Sequence, residues 1–367
     1  MKALHTIAAT LLVSALACTA ALAQAPGASG QADMRMTGAS RQQLIDRLAE
    51  EVTGKYAFPD MANKAGASLR ARHKRGAYDG MTSARQLSEA LTQELQATTG
   101  DRHLRVSYSE EPIPASRPQA APTPEDSVRR LAIMRSGNFG VKKIEHLPFN
   151  IGYLELEGFA PAQDAADTLA AAMTVLAHTD ALVIDLRNNS GGDAATVTLL
   201  ASYLFDKRTR LNDFYYREGD RLEQRWSADV VPGLRYGQKK DVYILTSRHT
   251  FSAAEDFAYA LKNLKRATIV GETSSGGANP GMDVRLLPNF SVFLPLGRAV
   301  SPVTKTNWEG VGVKPDVAVC AADAMRTAQV AILARMAQSE NDTARAGRLR
   351  ERIAELGAGH TTDATCP

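Results

Sequence analysis

The chain has three cysteines in 367 residues, Cys18, Cys320 and Cys366. So few exclude a scaffold held by a disulfide framework, and no Cys/His spacing matches a metal site. Charge of one sign is equally scarce. Lys and Arg number 43 against 40 Asp and Glu, a formal net charge of +3, with no polybasic block. Nothing therefore points to nucleic acid or to an anionic membrane surface as partner. Internal repeats are absent, as are dinucleotide and phosphate-loop motifs, and no cofactor is predicted.

Long apolar runs are missing too, apart from the N-terminal stretch after Met1-Lys2, which is too short for a membrane span. That stretch ends at Ala21-Leu22-Ala23 before Gln24, the small-x-small pattern of a signal-peptide cleavage site. Residues 1–23 are predicted to be a secretory signal, placing the mature chain in the periplasm or outside the cell, with no membrane span after cleavage. Ala15-Leu16-Ala17 before Cys18 lacks the usual leucine three residues before the cysteine, which argues against a lipid anchor. Export leaves Cys320 and Cys366, which an oxidising compartment would allow to pair. Sequence does not supply the Cα–Cα distance such a bond needs.

What is present suits a two-part soluble protein, 44% hydrophobic and 23% charged. Residues 24–38 are small, polar and Gly-rich, and are expected to be disordered. A helical bundle is predicted over 39–106. Ser40-x-x-Gln43 has capping-box spacing before the first helix, Pro59-Asp60 breaks it, and Ser83-x-x-Gln86 opens a third that stops at Gly100. A Pro-rich linker and helix fill 107–140. Over 141–320 strand and helix patterns alternate, which argues an α/β layer architecture. Residues 321–367 read as terminal helices and a tail.

Four segments could carry chemistry. The apolar run Val242 to Leu245 reads as a buried strand, and Phe251, Ala254, Phe257, Ala258 and Leu261 recur at helical spacing after it. Ser252 thus stands at a helix start beyond a strand's carboxyl end, where backbone N–H groups are free to hold an oxyanion. Its plain alternative is an N-cap serine. Asp185 to Asp193 carries adjacent Gly191 and Gly192 after another strand, able to bring backbone N–H groups close to a ligand, or simply a tight turn with an Asp185–Arg187 ion pair. His103, just past a helix end, is a general-base candidate or a surface histidine. Glu309, beside Trp308 and Gly310, could orient a histidine or be a solvated turn residue.

Taken in order, these segments resemble peptidase family S41, the tail-specific or C-terminal-processing proteases, and in particular its interphotoreceptor-retinoid-binding-protein-like branch. Lys55 to Asp60 resembles that branch's first helices, and Gly76 to Val106 has its Gly-Ala-Tyr-Asp and Gly-Asp-x-His features. Asp185 to Gly192 matches the Asp-Leu-Arg-x-Asn-x-Gly-Gly element. Thr246 to Phe257 and Gly271 to Pro280 match the nucleophile segment and its successor, and Trp308 to Asp316 the closing Glu-Gly-x-Gly-Val-x-Pro-Asp. The resemblance implies a ClpP/crotonase-like α/β core behind an N-terminal helical bundle. It implies Ser252 as acyl nucleophile, His103 as general base and Glu309 as orienting acid, with Glu272 the competitor for that third place. Oxyanion donors would be the amides of Ala253 and of Gly192 or Gly191.

Three departures qualify the likeness. Classical members place a lysine about two dozen residues after the serine, where this chain has Ser275-Gly276-Gly277-Ala278, so a Ser/Lys pair is not expected. The stretch between His103 and Phe149 is too short and Pro-rich for a PDZ domain. Arg102 stands where tricorn-type relatives have a serine. The expected function is an exported serine peptidase acting on peptides or proteins. The alternative is a binding protein for a hydrophobic ligand on the same fold; a crotonase-like acyl-CoA enzyme fits poorly with a signal peptide.

Overall fold

The computed structural model describes residues 33–114 and 123–358. The signal-peptide expectation, Cys18 and Cys366 lie outside the described residues. Cys320 is disulfide-bonded.

Three helices come first: α1 (Gly38–Lys55), α2 (Pro59–Lys74) and α3 (Ala84–Thr99). The cap of α1 is Thr37 rather than Ser40. Thr37 Oγ1 accepts the Ser40 N–H at 3.1 Å while Ser40 Oγ accepts the Thr37 N–H at 2.8 Å. Ser40 thus closes the box from its third position, a role its hydroxyl fills as well as the expected glutamine would. Ser83 caps α3 as expected, accepting from Gln86 N at 3.0 Å, and Gly100 ends that helix in the left-handed conformation (φ 74°).

Strand β1 (Arg105–Tyr108) and helix α4 (Pro124–Ser136) lead into the larger unit. There β2 (Val141–Leu147), β3 (Ile151–Leu156), α5 (Ala162–Leu176), β4 (Ala181–Asp185) and α6 (Ala194–Ser202) alternate. They are followed by β5 (Asp213–Tyr216), β6 (Arg221–Glu223), β7 (Asp241–Thr246), α7 (Ala253–Asn263) and β8 (Thr268–Gly271). Strands β9 (Gly281–Leu287), β10 (Phe290–Pro295), β11 (Gly297–Val300) and β12 (Val317–Ala318) precede the closing helices α8 (Ala321–Ser339) and α9 (Thr343–Ala358). No helix among the described residues is long and apolar enough to cross a membrane.

The main sheet runs β12-β8-β7-β4-β3-β2, parallel except for the edge strand β2. Its central strands are apolar without alternation because both faces are covered. Leu182 and Ile184 of β4, with Val242 and Ile244 of β7, pack on α5, α6 and α7. Ala181, Val183, Tyr243 and Leu245 point the other way, onto α8 and α9. Two smaller sheets, β1-β10-β9 and β11-β5-β6, complete the fold.

The helical bundle does not close its core alone. Leu44, Leu48, Leu87 and Leu91 share one apolar cluster with Val106 of β1 and with Phe290, Val292 and Leu294 of β10. The hairpin that follows the α/β unit is therefore a wall of the bundle. The β1–β10 pairing, Arg105 opposite Phe293, fixes where the segment just before β1 can sit, and His103 lies in that segment.

Candidate active site

Ser252 is held in a conformation that serine does not choose. Its φ of 55° and ψ of −118° put it in a region that L-residues rarely occupy, at a cost on the order of 1–3 kcal/mol. The surrounding hydrogen bonds impose it. Thr250 Oγ1 donates to Leu186 O at 2.7 Å and accepts the Ser247 N–H at 3.0 Å, pinning the turn after β7 to the end of β4. Phe251 N donates to Asn189 O at 3.0 Å. Ser252 stands at the N-cap position of α7, and its N–H donates to Glu255 Oε2 at 2.8 Å.

Glu255 does more than cap. It is fully buried, and its carboxylate also accepts Ser274 Oγ (2.5 Å) and the amides of Gly276 (2.6 Å) and Gly277 (2.8 Å). Burial pushes its acidity down and these four donors oppose the shift. The serine turn and the 274–277 loop are thereby fastened to one side chain. The sequence signal for this role is the S-x-x-E spacing at Ser252–Glu255, which the expected site residues do not include.

The glycine turn after β4 meets Ser252 directly. A Cβ on Gly191 (φ 107°) would lie 2.8 Å from the Ser252 Cβ, so only glycine fits. Asn189, fully buried, spans the turn: its Nδ2 donates to Leu156 O and its Oδ1 accepts the Gly191 N–H, both at 2.8 Å. That bond engages the Gly191 N–H, one of the two glycine amides expected as oxyanion donors. The amides of Gly192 and Ala253 have no acceptor among the described residues, and both residues line the cavity beside Ser252. The Asp185–Arg187 ion pair also forms, at 2.5 Å, so the turn carries both features read from its sequence.

His103 reaches this cavity from the end of the bundle. Its ring packs 4.5 Å from Phe251 and 5.7 Å from Phe293, centroid to centroid. A Cβ on Gly277 would lie 2.6 Å from His103 Cε1, so the loop residue beneath the imidazole must be small. His103 and Ser252 line one cavity of about 380 Å³, without a hydrogen bond between their side chains among the described residues. Contacts of this kind are often loose before substrate tightens them.

Two carboxylates, not one, surround the imidazole. Atoms of Asp101, His103 and Glu309 fall within 4.8 Å of one another. Asp101, 1% exposed, accepts the His103 N–H (2.9 Å), Tyr56 Oη (3.0 Å) and Asn279 Nδ2 (2.8 Å). Glu309 Oε2 accepts the Ala278 N–H at 2.5 Å, while its Oε1 and His103 Nδ1 are buried without a hydrogen-bond partner. Burial, reinforced by the Asp101 charge, pushes Glu309 up to about 8. Burial pushes His103 below the usual imidazole range, against the pull of Asp101. Glu272 lies elsewhere: it accepts the amides of Arg248 and Ala321, each at 3.2 Å, and pairs with Arg248 at 3.6 Å. Asp101 is visible in the sequence only as part of the Gly-Asp-x-His feature; its partners Tyr56 and Asn279 are remote in the chain.

Residues 150–319 match the model of peptidase family S41, and residues 36–135 match the N-terminal domain of Peptidase_S41 in eukaryotic IRBP. The chain is 28% identical over 168 residues to carboxyl-terminal-processing peptidase 2, chloroplastic, of Arabidopsis thaliana, covering 45% of this chain and 31% of the relative. It is 26% identical over 173 residues to the carboxy-terminal processing protease CtpB of Bacillus subtilis, covering 46% and 34%. The match thus spans about a third of the length of these curated relatives. In fold it is similar to mature CPAF, with a TM-score of 0.51 at 14% identity over 88% of this chain and 99% of that one. The two family matches lie in chain order and take in the bundle, the glycine turn, the serine turn and the sheet between them, and the chain belongs to peptidase family S41.

Proposed function

We propose that the protein is an exported serine peptidase that hydrolyses peptide bonds through an acyl-enzyme on Ser252. The observation that carries this reading is the meeting of Ser252 and His103, anchored in different parts of the fold, on one cavity with two unengaged amides. Ser252 Oγ attacks the scissile carbonyl and His103 takes its proton. The developing oxyanion accepts hydrogen bonds from Gly192 and Ala253, worth on the order of 3 kcal/mol each in the transition state. The imidazolium returns its proton to the departing amine, and water then releases the acyl group by the same route in reverse.

Glu309 is the orienting acid in this scheme, with Asp101 beside it. Burial and the Asp101 charge push Glu309 up to about 8, so it holds its proton at neutral pH. As His103 becomes cationic, the charge of Asp101 stabilises it. Export rests on the signal-like N-terminus.

A fluorophosphonate probe tests the reading: it should label the wild-type protein at Ser252 and leave Ser252→Ala unlabelled. Peptide turnover in a folded Ser252→Ala variant, at the wild-type rate, would end it.

A further inference from the structure

Asp256 is a buried charge in the wall of the Ser252 cavity that the proposed reaction does not use. It lies on α7 four residues after Ser252, one turn along the same face, and is 6% exposed. Its Oδ1 accepts Asn212 Nδ2 at 2.7 Å. Its Oδ2 accepts no hydrogen bond among the described residues, and the residue lines the cavity.

A tie to Asn212 does not require a charge, since a neutral amide could accept the same bond without the desolvation penalty of a carboxylate. Nor is the charge balanced from within. Arg225 is the cation whose field reaches Asp256, but it pairs with Glu223 at 3.2 Å and lies 4.9 Å over the Phe214 ring. No ion pair joins Arg225 to Asp256 among the described residues. The cations that line the cavity are near His103: Arg102 Nη1 donates to Ser275 O at 2.8 Å, and the charge of Arg105 acts on His103. The cavity therefore has a cationic end and an anionic end. Ala194, Phe214 and Trp308 give its walls apolar surface, suited to an alkyl stem that ends in a charge.

We propose that Asp256 forms a subsite for a cationic side chain, so that the enzyme selects peptides with lysine or arginine on the acyl side of the scissile bond. The selection of substrates rests on Ser252 being the nucleophile; the subsite itself does not. Calorimetric titration of benzamidine, a small amidinium, into the full chain at pH 8 should show binding to wild type and to Ser252→Ala, and at least tenfold weaker binding to Asp256→Asn. On matched peptides, wild-type kcat/KM should favour arginine over leucine at that position at least tenfold, and Asp256→Asn should erase the difference.

Equal wild-type rates on arginine and leucine peptides overturn the proposal, and this needs no variant to fold. Unchanged benzamidine affinity in a folded Asp256→Asn also overturns it. If benzamidine binds through Asp256 while no peptide is cut and the probe leaves Ser252 unlabelled, the subsite stands and the catalytic reading falls. Cleavage of leucine peptides by a protein indifferent to benzamidine upholds the catalytic reading and overturns the subsite.

Discussion

The carboxylate of Asp101 accepts the backbone N–H of His103 at 2.9 Å and stands 3.8 Å from the Nδ1 of the same ring. One acid thus fixes both the main chain and the electrostatic surroundings of the imidazole. With Tyr56 and Asn279 on its other oxygen, it has no freedom to turn away.

Replacing Asp101 by Asn puts an amide NH2 among groups that all donate, and removes the charge that helps keep Glu309 protonated. We expect kcat/KM to fall at least tenfold. The titration assigned to Glu309, near pH 8 in wild type, should move toward the ordinary carboxyl range. A pH–rate profile reads both effects, and an unmoved titration would show that Asp101 serves only as a brace.

Glu255→Gln should be among the most damaging single changes outside the reacting groups. Glutamine cannot accept from all four donors, and at least one buried donor is left unpaired, at a cost of about 1–3 kcal/mol. Urea unfolding should register that loss, and fluorophosphonate labelling should slow because the Ser252 turn is no longer tied to the 274–277 loop. Normal labelling of a destabilised variant would separate the two roles.

Gly191→Ala tests whether the serine turn tolerates any displacement. The added methyl would meet the Ser252 Cβ at 2.8 Å, and the residue also holds a positive φ. Gly310→Ala is the matched control: its φ is also positive (69°), but a Cβ there meets nothing within 4 Å. The control should lose only about 1 kcal/mol, whereas Gly191→Ala should lose labelling altogether. Equal behaviour of the two would mean that backbone strain, not contact with Ser252, sets the requirement.

The buried acids give stability a distinctive pH dependence. Glu309 is raised from 4.5 to about 8 and Asp256 from 3.8 to about 6, so each binds its proton more tightly folded than unfolded. Their contribution is fully present below pH 3.8–4.5 and is lost as pH rises through about 6 for Asp256 and about 8 for Glu309. His103, lowered from 6.5, works in the opposite sense and costs stability as pH falls below that value. Glu309→Gln should therefore be stabilised relative to wild type at about pH 8.5 and show no such gain at about pH 4. Urea midpoints at the two pH values check this, and an identical gain at both would contradict it.

Much of this architecture could be read from local pattern. Val242 to Leu245 and Ala181 to Leu186 are strands buried on both faces, and such strands are continuous apolar runs whatever surrounds them. Ser83 and Gly100 mark helix α3 by chemistry that acts within a few residues. Strand β9 is not legible locally, because Gly281 to Leu287 mixes polar and apolar residues and finds its reason only in the bundle it covers. The site divides in the same way. Ser252, His103 and Glu309 are recognisable by type and by resemblance. Asp101 acts through Tyr56 and Asn279, Asn189 through Leu156, and Asp256 through Asn212, pairings that only the folded chain creates.

The bundle and the β1–β10–β9 sheet share one apolar cluster, and the serine turn belongs to another. His103 is thus a visitor from a neighbouring body, delivered to Ser252 by the seating of one body on the other. In the proposed reaction turnover would register that seating, and a small parting of the two should silence it while each cluster stays packed.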